Sequence, residues 1–200
     1  MERESRFWNG VHRKRLVVHL GDGNFDVCTR GFRSTPDFLK NFQDSKSYLD
    51  IGPGFGHAIL TSDAPNKGVA DISLEAIKNI QEKERSIEGH LIYDPAPASK
   101  YDLATCVSVV QHCDELALRC LMNFAHTALD RGGTLYIEGI YMRDKSDRGH
   151  NYNNTMAGSH MWNREIILNL WPGKCIYNHV DILDEHTGVW WMGLRKDSDN

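Results

Sequence analysis

Tyr48-Leu49-Asp50-Ile51-Gly52-Pro53-Gly54-Phe55-Gly56 decides how this chain folds: a short apolar run closing on an acidic residue passes into glycines at every second position. Such a run bounded by glycine reads as a buried strand. The glycines allow positive φ and let a ligand approach the main chain, and a helix beginning beyond them presents unpaired N–H groups. A mononucleotide-like ligand would then sit at the carboxyl ends of the strands, near the point where strand order reverses. The spacing separates two ligand classes. A dinucleotide fingerprint wants glycine at position 57, where the chain has His57, so an NAD-linked oxidoreductase is the weaker alternative.

Outward from this stretch, apolar and branched runs recur at residues 47–51, 67–70, 90–93, 103–110 and 134–140, with helix-like stretches between several of them. The alternation predicts an α/β fold, a parallel sheet covered on both faces. Ser73 is placed to cap a helix whose Leu74, Ile77 and Ile80 share one face. A second helix is expected over 114–129, burying Leu116, Leu118, Leu121, Met122, Ala125 and Leu129 and stopped by Arg131-Gly132-Gly133. A third covers 160–170 and halts at Pro172-Gly173. Residues 174–182 and 188–195 read as an antiparallel hairpin about Asp184-Glu185-His186-Thr187. The polar segment 141–159 is a long loop, either a lid or a surface insertion.

An acidic strand end followed by Gly-x-Gly-x-Gly closely resembles the first motif of the class I S-adenosylmethionine-dependent methyltransferase family. The resemblance implies a Rossmann-like, doubly wound, seven-stranded, mostly parallel sheet with an antiparallel strand in its terminal hairpin. It also implies that Asp50, Gly52, Gly54 and Gly56 pack against the methionine part and ribose of S-adenosylmethionine. Gly68-Val69-Ala70-Asp71-Ile72-Ser73 resembles the second motif, in which an acid at the strand end accepts hydrogen bonds from ribose hydroxyls; Asp71 takes that role, with Ile72 beside it. Its alternative is a helix-start charge favoured by the dipole. The short gap between the two motifs implies a trimmed first helix. In Tyr93-Asp94-Pro95-Ala96-Pro97, Asp94 matches the residue that bonds the adenine amino group, or else is a turn residue before proline. Residues 101–112 look like the family's fourth strand, ending in Gln111-His112, with Ser108 assigned to the cofactor. Arg131-Gly132-Gly133 resembles the turn into strand five. The resemblance covers 48–138 and extends to the terminal hairpin; the first 40 residues match nothing.

Methyl transfer from a sulfonium is an in-line displacement, so the protein mainly brings the acceptor close and aligned, with a base where the acceptor carries a proton. The resemblance puts His112 and Glu138 at neighbouring strand ends. His112 is the candidate general base, with a pocket-wall histidine as the alternative. Glu138 is read as orienting His112 or the acceptor, or as a strand-end charge. The proline-rich run of amino-methylating enzymes is missing after strand four, as is the Pro-Cys nucleophile of cytosine-5 enzymes. No metal is assigned, because Asp114 and Asp144 do not match the spacing of the metal-dependent members. The expected acceptor is an O or N atom of a small polar metabolite such as a sugar, with S-adenosylhomocysteine as product. Phe7, Trp8, Tyr141, Tyr152, Trp162 and Trp171 are candidates for the acceptor wall, Trp171 reading better as core; Trp190 and Trp191 read as packing residues. A binding subunit without turnover is the alternative from another class.

Composition sets the outer bounds. Two hundred residues with 40% hydrophobic and 25% charged content fit one globular domain, 1–200, with 1–40 as an extension or cap. A net charge of -4 gives no basic excess for a nucleic-acid partner; the run His12-Arg13-Lys14-Arg15 reads as a solvated face. Five cysteines without a Cys-x-x-Cys pair read as reduced thiols. No apolar stretch is long enough to span a membrane, and a cytoplasmic location is expected.

Overall fold

The computed structural model describes residues 9, 17–20, 23–26, 44–98, 100–142, 162, 164–182 and 187–197. Strands β1 (Val17–Leu20) and β2 (Gly23–Asp26) pair antiparallel as a separate ribbon. The main sheet holds seven strands: β3 (Ser47–Ile51), β4 (Asn66–Asp71), β5 (Glu88–Leu91), β6 (Tyr101–Cys106), β7 (Leu129–Met142), β8 (Lys174–Ile182) and β9 (Thr187–Arg195). Their order is β5-β4-β3-β6-β7-β9-β8. The first five run parallel, and β9 is antiparallel to both β7 and β8. This is the doubly wound, Rossmann-like sheet with a terminal hairpin that the sequence predicts. Strand order reverses between β3 and β6, where successive crossovers leave in opposite directions and open a crevice at the carboxyl ends.

Register fixes which side chains share a face. Asp50 lies opposite Thr105 on β6 and Val69 on β4, and Thr105 lies opposite Tyr136 on β7. Alternation along each strand therefore puts Tyr48, Asp50, Asp71, Thr105, Tyr136 and Glu138 on one face. Helices α1 (His57–Thr61) and α2 (Leu74–Gln81) cover part of it, in a core containing Tyr48, Ile59, Val69, Ile77, Ile80 and Leu103. The other face carries Leu49, Ile51, Ala104, Cys106, Leu135 and Ile137 in a core shared with α3 (Glu115–Ala128), and Ile167 of α4 (Arg164–Leu170) joins it. Ser73 caps α2 by accepting from the Ala76 N–H at 3.2 Å, and Asp114 caps α3 by accepting from that of Ala117 at 2.8 Å, satisfying donors that a helix start leaves open.

Several expectations need correction. Leu74 and Leu116 are 44% and 55% exposed: both sit in the first turn of their helices, where the apolar face has not yet reached the core. Leu118, Leu121, Met122, Ala125 and Leu129 are buried as expected, joined by Ala117, Phe124 and Ala128. The second long helix ends at Ala128, ahead of the glycine pair, because Leu129 is already extended and opens β7. Strand β6 stops at Cys106 rather than running to Val110, and β5 lies two residues earlier than expected. The first helix has five residues, trimmed as the short motif gap implies. The described part of the third begins at Arg164; residues 143–161 and the basic run at 12–15 lie outside the described residues. Among the described residues no helix is long and apolar enough to cross a membrane.

Gly139 shows how tightly the hairpin seats on β7. It faces Trp190 across the ladder, and a Cβ at Gly139 would lie 2.2 Å from that indole ring, which is 2% exposed. Gly139→Ala is expected to destabilise by about 1–3 kcal/mol through overpacking, read as a lower denaturant midpoint. An unchanged midpoint would show that the hairpin yields instead.

Candidate functional site

The glycine turn is a rigid piece of backbone. Gly52, Gly54 and Gly56 take φ of 67°, 57° and 82°, a region that strains other residues. The Gly52 N–H donates to the Ala70 carbonyl at 2.7 Å, tying the turn to β4, and the Gly56 N–H closes it on Pro53 at 2.8 Å. A Cβ on Gly52 would meet Val109 at 2.3 Å, and one on Gly56 would meet Ile80 at 2.9 Å. At these two positions the missing side chain makes room for the protein's own side chains, which the spacing alone does not reveal.

Under the turn, Asp50 is buried and accepts from the Thr105 hydroxyl at 2.9 Å and from the Ile59 N–H of α1. Thr105 is in turn 2.6 Å from the Tyr48 hydroxyl. Burial pushes the Asp50 carboxyl up to about 7, although both hydrogen bonds pull it down. Asp71, at the end of β4, bends back to accept from the N–H of Ser73 at 2.7 Å and from that of Ile72. It too is raised to about 7, mainly by burial, with the nearby Asp50 charge adding to the effect. Two oxygens offer about four acceptor positions, so these backbone bonds leave Asp71 capacity for a diol.

The turn after β6 supplies the opposite wall. Ser108 has φ 56°, the only positive φ at a non-glycine among the described residues, and its hydroxyl donates to Glu138 at 2.9 Å. Such backbone costs of order 1–3 kcal/mol and persists where its surroundings enforce it. Glu138, 3% exposed, lies one residue past Ile137, which pairs with the last residue of β6. His112 closes the 3₁₀ turn Val110–His112, which packs on β7, and is half-buried. Its neighbour Gln111 is 6% exposed, and its buried side-chain oxygen has no hydrogen-bond partner among the described residues, a cost that native interiors seldom carry without a reason.

The predicted site residues thus divide. Asp50, Asp71, Ser108 and Glu138 share the carboxyl end of the sheet, with Ile72 and the turn around them. Asp94 sits on an exposed turn after β5, held by its N–H on Leu91. Trp162 donates to the Cys113 carbonyl at 3.1 Å, and Trp171 is core at 5% exposure. Phe7, Trp8 and Tyr152 fall outside the described residues. Asp114 is occupied as a helix cap, and among the described residues no group of three or more His, Cys, Asp or Glu is arranged to hold a metal ion. One contact had no signal in the sequence: the Asn9 side-chain oxygen accepts from the Ser73 hydroxyl at 2.7 Å and from the Glu75 N–H at 3.3 Å. It brings Asn9 onto Ser73, two residues from Asp71.

Solved structures match this arrangement over most of its length. The 1,6-didemethyltoxoflavin-N1-methyltransferase of Burkholderia thailandensis, solved with 1,6-didemethyltoxoflavin and S-adenosylhomocysteine, superposes with a TM-score of 0.67 over 98% of this chain and 88% of that one, at 16% identity. The N-methyltransferase NodS of Bradyrhizobium japonicum, in complex with S-adenosylhomocysteine, gives 0.66 over 96% of this chain and all of its own, at 17% identity. The chain has the class I methyltransferase fold. A third example of that fold, the S-adenosylmethionine-bound amino pentose methyltransferase of Micromonospora echinaspora, gives 0.61 over 88% of this chain, at 14% identity. By sequence, an uncharacterized protein of Methanocaldococcus jannaschii is 34% identical over 80 residues, 39% of this chain and 36% of that protein, so the match spans about a third of the relative's length. No protein-family model matches the chain.

Burying two methyltransferase-fold carboxylates has a measurable signature. Each holds its proton up to about 7 when folded, against an ordinary 3.8. The stabilisation linked to that proton is fully present below 3.8 and is lost as pH climbs through 7, at most about 4 kcal/mol for one group. Without ligand, Asp71→Asn is expected to melt above the parent protein at pH 8, with the gap closing as pH falls toward 4. A gap that widens in acid would contradict this assignment.

Proposed function

We propose that the chain is an S-adenosylmethionine-dependent methyltransferase that acts by direct in-line transfer on an O or N atom of a small polar metabolite. One observation carries the reading: the buried carboxylate of Asp71 stands beside a turn of three positive-φ glycines at the reversal of strand order. An acid there suits a ribose diol, and the absence of a third glycine at position 57 disfavours a pyrophosphate. The cofactor's sulfonium supplies an electrophilic methyl group when bound.

In this reading Asp71 accepts from the ribose hydroxyls, with Ile72 flanking them, while Gly52, Gly54 and Gly56 shape the turn against the methionine part. Asp50 supports that turn from beneath and adds negative charge under a cationic ligand. We assign Asp94 to the adenine edge and Ser108 to the cofactor on the side away from β4. His112 takes the proton of an acceptor that carries one, and Glu138 faces the acceptor. The amino pentose methyltransferase makes a sugar or amino sugar a reasonable first acceptor to try. The acceptor side calls for neither nucleic acid nor membrane, and we place the protein in the cytoplasm.

Isothermal titration tests the cofactor assignment. S-adenosylmethionine is expected to bind and NAD not to, and Asp71→Ala is expected to weaken the cofactor by about tenfold or more, because a buried diol loses its acceptor. Since the ionised acid is the binding form, parent affinity is expected to rise between pH 6 and pH 8 as the Asp71 proton leaves. Unchanged affinity in Asp71→Ala would remove the ribose contact. Release of S-adenosylhomocysteine with a metabolite panel separates an enzyme from a binding subunit without turnover.

A further inference from the structure

The transferase reading defines the acceptor only broadly, and of a row of side chains on the far half of the sheet it uses Glu138 alone. Glu138 on β7 lies opposite Trp191 on β9, and Trp191 lies opposite His179 on β8. Directly opposed residues share a face, so the row belongs to the face of Asp50 and Thr105 and stands level with the carboxyl end of β6. Tyr177, two residues before His179 on the same edge strand, continues it along β8.

Exposure rises along the row. Glu138 is 3% exposed, Trp191 half-buried, His179 open and Tyr177 39% exposed. The His179 ring lies 6.0 Å from that of Trp191 and 6.2 Å from that of Tyr177, tilted at 42° and 33°. The strip is therefore aromatic, open at the strand edge, and closed at its inner end by a carboxylate whose orientation the Ser108 hydrogen bond holds. Trp190, the next residue, points to the opposite face and is core, so the aromatic strip is not spare packing for the interior. The buried Trp191 Nε1 has no hydrogen-bond partner among the described residues.

We propose that this row is the acceptor subsite and that it takes a flat heteroaromatic amine. The amine N–H donates to Glu138, and the ring lies along Trp191 and His179. A buried carboxylate repels anionic acceptors and rewards an N–H donor with a charge-assisted bond, while aromatic faces favour planar and cationic partners. The inference rests on the transferase reading for its location and favours an aromatic nitrogen acceptor over the sugar.

The test uses the whole chain, titrated first with S-adenosylhomocysteine and then, with and without it, with 4-aminoquinoline and with quinoline, which has the same rings and no amine. The amine is expected to bind about tenfold more tightly than quinoline. Glu138→Gln is expected to reduce that preference to about twofold or less, the charge assistance being lost. His179→Ala, a change on an exposed strand, is expected to weaken both probes several-fold and leave S-adenosylhomocysteine affinity unchanged. Equal binding of the two probes by the parent protein, no binding of either, or indifference to His179→Ala would overturn the subsite. Failure of S-adenosylhomocysteine alone to bind would instead sink the transferase reading, and amine-selective binding in its absence would still support the row.

Discussion

The buried carboxylate of Asp50 is the contact on which the site is built. It sits on β3, one of the two neighbouring strands whose crossovers diverge, and its hydrogen bonds reach β6 through Thr105 and α1 through Ile59. The glycine turn leaves β3 immediately after it, so both walls of the crevice and the helix beyond the turn are referred to one side chain. Water would compete for that carboxylate if the site were open beneath the turn; burial removes the competitor and makes the hydrogen bonds directional, at the cost of a raised pKa. The Tyr48 hydroxyl completes the chain by bonding Thr105.

Asp71 shows the same trade at the surface of the crevice. Its bonds to the Ser73 and Ile72 N–H groups fix where the carboxylate points, as the proposed ribose contact requires. Keeping the ionised form beside Asp50 costs stability that the unliganded protein does not recover. A site ready for a diol and a cation is therefore one in which acids are held partly desolvated before the ligand arrives, as expected where function and stability compete.

What could be read from the sequence follows from how local the cause is. The strand of Tyr48 to Ile51, the glycine turn and the acid ending β4 are set by contiguous residues, and the parallel order follows from their alternation with helices. The caps Ser73 and Asp114 are local in the same way. Leu116 was misjudged because periodicity assigns a face but does not say where a helix first meets the sheet. Nor could the strand boundary at Cys106 be read, since Val107, Val109 and Val110 continue the apolar run while Ser108 turns the backbone left-handed, a conformation imposed by Glu138 thirty residues away. Asn9 is more distant still: its partner Ser73 looks self-sufficient as a cap, and nothing near position 9 marks a docking residue. Of the candidate site, the glycine turn and Asp71 are legible in the sequence, whereas the row from Glu138 to His179 is not, because it exists only once β9 is inserted between β7 and β8.

The turn after β6 carries strain because it meets two neighbours at once. Val109 packs against Gly52 of the glycine turn, while Ser108, one residue earlier, bonds Glu138 on the next strand. A regular continuation of β6 would send alternate side chains to opposite faces and could not serve both neighbours in so few residues. The left-handed residue redirects the chain so that one short turn touches the glycine turn and Glu138 together. Glycine would adopt that φ without penalty but has no hydroxyl for Glu138, and alanine would keep the strain and lose the bond. Serine is the small residue that meets both demands, so its departure from ordinary backbone geometry is set by the need to hold two parts of one site in register.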